Sequence, residues 1–574
     1  MMLDPLSVAG LALAVFEQLL KLGERTSEVV SDIRHATVAG KDSLSTVEDE
    51  VITVAISRIK CIATMVRYSF AGFDELTRSQ IYGGESLVQQ FDADAQGQIH
   101  NYLDELCGFL ERALRLLTKA AGTNSVAKPT KDQSPSSSNI AVVEAPSTLS
   151  ISKIPSSLQS SEQKASASRS SFQLLRWSLR DKKEMVATIE NFAEINDQLL
   201  EMVRFLSLAS AIGVDLRHLE HLRTDQDAVK LGMHDDASLA LTVSSTGGVN
   251  ESYELEESWS KILEEASAVE DRFAVFEWNG ANMLRENCSY LQGAESQLDP
   301  QTQSRVNLLT KLLYQPKEKL FCIPPCHGWS YSPKRKQISY LFKLPSGLGL
   351  EPKSLLLLLK DPKAQPPLGM KFHIAHSLAR SIAQLHMVKW VHESFRSENI
   401  LFFASHTSDA NGNAQINPSE KVDLTQPWIF GFEFSRPDSF FSPGFIDTCP
   451  DRDVYRHSER QGQPLTTFKK IHDIYALGIV LLEIGIWRPA VTLEKNQFAH
   501  ARDSQGRPYG ITKHLTKHAQ RHLENPMGSK YRDIVLKCIS GDFGVTNDTR
   551  EDLKLQQAFR LQVVEVLRKI VDTL

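Results

Sequence analysis

The chain of 574 residues lacks three features that would class it at once: a cysteine framework, a long apolar run and an excess of one charge. Its seven cysteines (Cys61, Cys107, Cys288, Cys322, Cys326, Cys449 and Cys538) are odd in number and scattered, which excludes a disulfide scaffold and fits a reducing compartment. Cys322, Cys326 and His327 lie close together, but no second ligand pair follows at a zinc-site spacing, so no metal is expected there. Pro324-Pro325 between them predicts a turn. No stretch reaches the roughly 18 uncharged apolar residues of a membrane-spanning helix. Lys+Arg 64 against Asp+Glu 70 gives a net charge of −6, without the basic balance of a general nucleic-acid binder, so no nucleic-acid partner is expected. Also absent is any G-x-G-x-x-G, the loop whose backbone would cradle phosphates.

What is present falls into two textures, and the length calls for two or three domains. The start, Pro5 to Phe16, is apolar but follows Asp4 and runs into Glu17 and Lys21, with no basic leader and no cleavage site. It reads as the first helix of the mature chain. Leu11, Val15, Leu19 and Leu20, then Leu103, Leu106, Leu110, Leu114 and Leu117, recur at helical spacing. Residues 124–171 are rich in Ser and Pro and poor in aromatics, a composition that cannot bury enough apolar surface to fold, so a disordered insert is expected. Helical patterning resumes at Phe172, with Leu175, Leu179, Met185, Ile189, Phe192, Ile195, Leu199, Met202 and Leu206 on one face. A polar break from Asp235 to Glu256 predicts a linker, 231–265, between an all-α region, 1–230, and the remainder, 266–574. That remainder opens with short β-rich runs (Phe273–Trp278, Ile338–Phe342, Ile400–Phe403, Trp428–Phe432) and continues with helices over Met370–His386, Asp473–Gly485 and Leu555–Leu574. Strands first and helices after suit an α+β domain.

The most specific feature is His392-Glu-Ser-Phe-Arg-Ser-Glu-Asn399, placed after an amphipathic helix (Phe372, Ala375, Leu378, Ile382, Leu385) and before a short apolar strand. It resembles the protein-kinase catalytic loop, H-R-D-L-x-x-x-N. Gly431-Phe432-Glu433 stands where kinases have D-F-G, Glu459 where they have A-P-E, and Asp473 to Gly478 where an Asp caps the loop from below. The resemblance, over roughly 275–574, implies a bilobal kinase fold, with Arg550 a candidate partner for Glu459. It also marks losses. Ser394 replaces the carboxylate that accepts the substrate proton, and Gly431 replaces the primary magnesium ligand. Asn399 remains and Arg396 replaces the loop lysine. The strand Phe273–Trp278 is aligned with the lysine-bearing strand of kinases, which puts Asn279 at the lysine position. His392, Arg396, Asn399, Phe432, Glu433, Glu459, Asp473 and Gly478 are therefore expected to hold the domain together, not to catalyse. The expectation is a pseudokinase without cofactor. An atypical ATP-binding kinase that uses Glu433 and a simple interaction scaffold are the alternatives.

In the N-terminal region, Trp177-Ser-Leu-Arg-Asp181-Lys182-Lys183 together with the apolar start resembles the HeLo domain of fungal prion-inhibition and heterokaryon-incompatibility proteins. The fold class that follows is multidomain, a HeLo-like helical bundle and then an α+β bilobal protein-kinase-like domain. The resemblance implies a role in fungal programmed cell death. It also implies a protein partner, a cytoplasmic location and membrane association on activation through the apolar helix 5–20. By packing alone, Trp177 is a core aromatic and Asp181, Lys182 and Lys183 form a solvated turn.

Overall fold

The computed structural model describes residues 80–82, 85–121, 179–244, 252–256, 259, 272–289, 298–346, 348–349, 351–404, 422–437, 449–462, 464, 466–496, 498, 510–549 and 551–574. The expected N-terminal helix 5–20, the insert 124–171, Trp177 and Arg550 lie outside the described residues. By its internal contacts the chain divides into two units, residues 1–203 and 204–574.

The first unit holds helix α1 (Ala93–Ala121) and most of α2 (Leu179–Ala209), which runs on across the division. Asp92 caps α1 by accepting a hydrogen bond from the Ala95 N–H at 2.8 Å. Ala95, Ile99, Leu103, Leu106, Leu110 and Ala113 are buried along one stripe of α1, at the spacings of three and four by which a helix hides one face. Met185, Ile189, Phe192 and Leu199 do the same for α2. Asp181 and Lys182 fall in the first turn of α2.

The second unit begins with the end of α2, followed by α3 (Leu216–Thr224), α4 (Gln226–Lys230) and α5 (His234–Ser244). Helix α5 corrects the expected linker: Ala237, Leu239, Ala240 and Val243 are buried, a stripe that the polar start His234-Asp235-Asp236 conceals in the sequence. Arg204 near the end of α2 donates to Asp236 at 2.6 Å and to Glu318 at 2.7 Å. Burial raises the Asp236 carboxyl to about 6 despite that ion pair. Phe205 lies 5.1 Å under the Arg560 guanidinium, and Lys389 donates to the Ser210 carbonyl at 3.4 Å.

Four antiparallel strands follow, β1 (Phe273–Trp278), β2 (Ala281–Ser289), β3 (Cys326–Ser332) and β4 (Gln337–Lys343), in the order β1-β2-β4-β3. Asn279 and Gly280, both at positive φ, make the tight β1–β2 turn, the pairing such turns prefer. Helix α6 (Pro300–Tyr314), capped by Asp299, sits between β2 and β3 in sequence and packs on β3, where Asn307 accepts from the Trp329 indole at 2.8 Å. Residues 253–255, also expected as linker, lie along the outer edge of β3: Leu255 donates to the Trp329 carbonyl at 2.7 Å and Trp329 to that of Tyr253 at 3.0 Å. Trp259 then packs with Met283 and Leu341.

The rest is mainly helical. A three-stranded sheet of β5 (Lys353–Ser354), β7 (Ile400–Phe402) and β8 (Trp428–Ile429), and the pair β6 (Trp390–Val391) with β9 (Arg436–Pro437), bracket the loop 392–399. Around them stand α7 (Leu355–Lys360), α8 (Leu368–Met387), α9 (Lys470–Ile486), α10 (Ile511–His522), α11 (Glu524–Ser540), α12 (Leu553–Phe559) and α13 (Glu565–Thr573), the last two joined by a π turn, Arg560–Val564. Helix α9 is buried on nearly all sides. Gly478 lets it approach α11, since a Cβ there would lie 2.7 Å from that of Cys538. No described helix is long and apolar enough to cross a membrane.

Candidate functional site

The loop 392–399 is fixed from below by Asp473 on α9. One carboxylate oxygen accepts from the His392 N–H at 2.8 Å and the other from the Glu393 N–H at 3.0 Å. His386 lies 3.2 Å from the first of these oxygens. His392 is buried; its Nδ1 accepts from the Ser394 N–H at 3.2 Å, which leaves Nε2–H to donate to the Phe430 carbonyl at 3.1 Å. Burial lowers its pKa to about 4, so the ring is neutral at physiological pH. Phe432 packs on it at 4.6 Å.

Above the loop, the residues marked by sequence converge on one that was not. Arg272, just ahead of β1, directs one guanidinium nitrogen to Glu286 at 2.6 Å and to Glu433, and the other to the Asn399 amide oxygen at 2.9 Å, with Glu398 at 4.0 Å. Burial opposes the arginine's charge, but Glu433 and Glu286 outweigh it and hold the guanidinium protonated. Burial likewise works against the Glu433 carboxylate, and Arg272 and Arg396 overcome it, so Glu433 stays ionised. Arg396 is 3.6 Å from Glu433 and 2.5 Å from Glu398. Ser394 donates to Glu433 at 3.4 Å, and the Asn399 amide donates to the Ser394 carbonyl at 2.7 Å.

Gly431 has a φ of +87°, and a Cβ there would stand 2.1 Å from the Asn399 amide nitrogen. Its N–H donates to Glu286 at 3.0 Å. Position 431 thus has room for glycine alone. Asn279 is an exposed turn residue, which corrects its expected placement; the side chain that reaches Gly431 from the sheet is Glu286, on the next strand. The Asn279-Gly280 dipeptide is the signal that would have placed the hairpin and so found that strand.

Among the described residues, two clusters have metal-like composition. Glu286, Cys288 and Glu433 lie close together, but the Arg272 guanidinium is already bound to both carboxylates, and burial holds the Cys288 thiol protonated. In the second, His472 Nδ1 accepts from the Lys469 N–H at 3.1 Å, so its proton sits on Nε2 and is donated to Glu459 at 3.2 Å. The His457 ring stacks on it at 5.0 Å. Glu459 also accepts from Thr466 at 3.1 Å and lies 4.0 Å from His457 Nδ1. Cys322 and Cys326 face different carbonyls, of Leu320 and Gly328, and His327 is exposed.

The arrangement is a pocket of carboxylates closed by an internal cation. It has a neutral histidine, a serine with no basic partner but Glu433, and two guanidinium groups. Glu433, the ionised carboxylate 3.4 Å from the Ser394 hydroxyl, is engaged by both Arg272 and Arg396.

Two family models match the chain: residues 83–231 match HeLo, described as Prion-inhibition and propagation, and residues 329–574 match a Domain of unknown function (DUF7580). None of the curated proteins matches it. Helices α1 to α4 therefore lie in a region that matches a HeLo domain, and the chain joins it to a region of helices and antiparallel strands whose matching family has no assigned function.

Proposed function

We propose that the chain is a non-catalytic signalling protein of the cell-death or incompatibility type, in which a pseudokinase senses a partner and a HeLo-like region responds. The observation that carries the pseudokinase reading is Arg272. In a working kinase the carboxylates facing the glycine-rich strands hold magnesium, which neutralises the phosphates. Here Glu286, Glu433 and Asn399 hold a guanidinium. Further support comes from the sheet order and from α6 lying between β2 and β3, an arrangement like that of a kinase N-terminal lobe. On that alignment β2 is the lysine-bearing strand. It presents Glu286, which would repel a nucleotide's phosphates. Glu433 cannot act as a substitute ligand or base while both arginines engage it.

The test is thermal denaturation of the full chain with and without Mg-ATP. A ligand present at a hundred times its dissociation constant stabilises a fold by about 2.7 kcal/mol. No shift at millimolar Mg-ATP is the expected result; a magnesium-dependent rise overturns the pseudokinase reading. The effector half rests on the HeLo match and on the apolar segment 5–20. Dye release from liposomes by the full chain, lost when 5–20 is deleted, is the expected outcome. Leakage that survives the deletion would remove that segment from the mechanism.

A further inference from the structure

Helix α10 carries Lys513, His514, Lys517, His518, Arg521 and His522 and no acidic residue. Its apolar side, Ile511, Leu515 and Ala519, is buried, so it has no free greasy face to insert into a bilayer. Lys513, Lys517 and Arg521 are exposed and recur at i, i+4 and i+8, a repeat of about 6 Å along the axis. His514, His518 and His522 repeat beside them, with ring centroids 4.8 and 5.2 Å apart. Arg488 adds a further charge near His518. Among the described residues no carboxylate pairs with Lys513, Lys517 or Arg521, and the acid next in sequence, Glu524, is held by Arg532. In a chain of net charge −6, a concentrated row of cations is a site of mutual repulsion that an anionic surface would relieve.

We propose that α10 is an electrostatic contact for an anionic lipid bilayer, lying along the headgroup phosphates without entering the hydrocarbon. The two rows stand about 100° apart around the helix. A plane of headgroups therefore meets both together, whereas a linear polyanion follows one. Acid strengthens the contact through His518, which lies within this patch. Burial, and then His514, His522, Arg488 and Arg521, resist protonation of His518, and His514 faces the Phe498 ring and the Leu493 carbonyl. Anionic headgroups reverse that resistance. This inference stands on α10 alone and does not need the segment 5–20.

The experiment is co-sedimentation of the full chain with vesicles of phosphatidylcholine, with and without phosphatidylserine, at low and high salt. Binding is expected only with phosphatidylserine, weakening at high salt and strengthening from pH 7.5 to 5.5. Each cation near such a surface contributes about fivefold, so Lys513→Gln, Lys517→Gln and Arg521→Gln together should lower partitioning about 100-fold at an unchanged melting midpoint. Unchanged binding by this triple variant, salt-insensitive binding, or no binding by the parent chain each overturns the proposal. Preferential binding of soluble polyphosphate over vesicles overturns it in favour of a free polyanion.

Discussion

At the scale of single residues, the site is decided by Arg272 and Gly431. Removing one partner of a buried ion pair leaves the others uncompensated, which costs about 3–5 kcal/mol. Arg272→Met should lower stability by about that amount in urea titration, because Glu286 and Glu433 would face each other without a cation. Restoring the acid that kinases carry at the other position should not restore nucleotide binding. In Gly431→Asp the new Cβ meets the Asn399 amide and the backbone is held at positive φ. A loss of about 1–3 kcal/mol is expected, with no Mg-ATP stabilisation gained. A folded variant that does bind Mg-ATP would show the pocket to be more adaptable than its packing suggests. Gly431 was marked in the sequence by its place in Gly431-Phe432-Glu433, although its close approach to Asn399 was not, and Arg272 was not marked at all. Arg272 sits in Val-Glu-Asp-Arg-Phe, which has no pattern, and its partners Asn399 and Glu433 are 127 and 161 residues away. The loop itself was legible, because His392, Asn399 and the later Asp473 keep a recognisable order.

At the scale of elements, contact between α9 and its neighbours depends on small features. Asp473→Ala deprives two buried backbone N–H groups of their acceptor and should cost about 2–4 kcal/mol, measured as a shift in the urea midpoint. Glycines should then separate by surroundings. Gly478→Ala pushes α9 against Cys538 and should destabilise by about 1–3 kcal/mol, whereas Gly108→Ala in α1 meets open space and should stabilise by about 0.5–1 kcal/mol. Equal effects at the two positions would mean that α9 can shift to accommodate the methyl group. The strongly apolar helices α8 and α9 could be read from sequence. Strand β2 could not, because Arg285 and Glu286 are buried within it and break the alternation that marks a strand. Helix α5 hid behind its acidic start for a related reason: a polar first turn resembles a linker until its apolar stripe is counted.

At the scale of the whole molecule, buried groups set how residues 204–574 respond to acid. Burial lowers His376, His392 and His472 to about 4 against an unfolded value near 6.5. Their folded pKa lies below the unfolded one, so the stability they contribute is present above pH 6.5 and is lost as pH falls toward 4. Glu483, raised to about 7 by burial, acts in the opposite sense: its carboxyl penalises the fold at pH 7 and above, and the penalty fades as pH drops toward its unfolded value near 4.5. Glu483→Gln keeps an oxygen to accept from Tyr455 and the Ala490 N–H but abolishes this compensation. Chemical denaturation from pH 7.5 to 4.5 should therefore show a steeper acid loss in the variant than in the parent chain. Parallel curves would mean that Glu483 ionises normally in the fold.

The end of α2 bears on how this protein can be taken apart. The match to the HeLo family stops at residue 231, which invites an experimenter to cut there. Arg204, Phe205 and Ser210 find their partners at Asp236, Glu318, Arg560 and Lys389, all beyond that point. A truncation at the family boundary would cut through the compact unit 204–574, leaving a cation, an aromatic ring and a helix end bare on one fragment and two acids bare on the other. Aggregation of either fragment would then report the misplaced cut, and would say nothing about what the intact chain does.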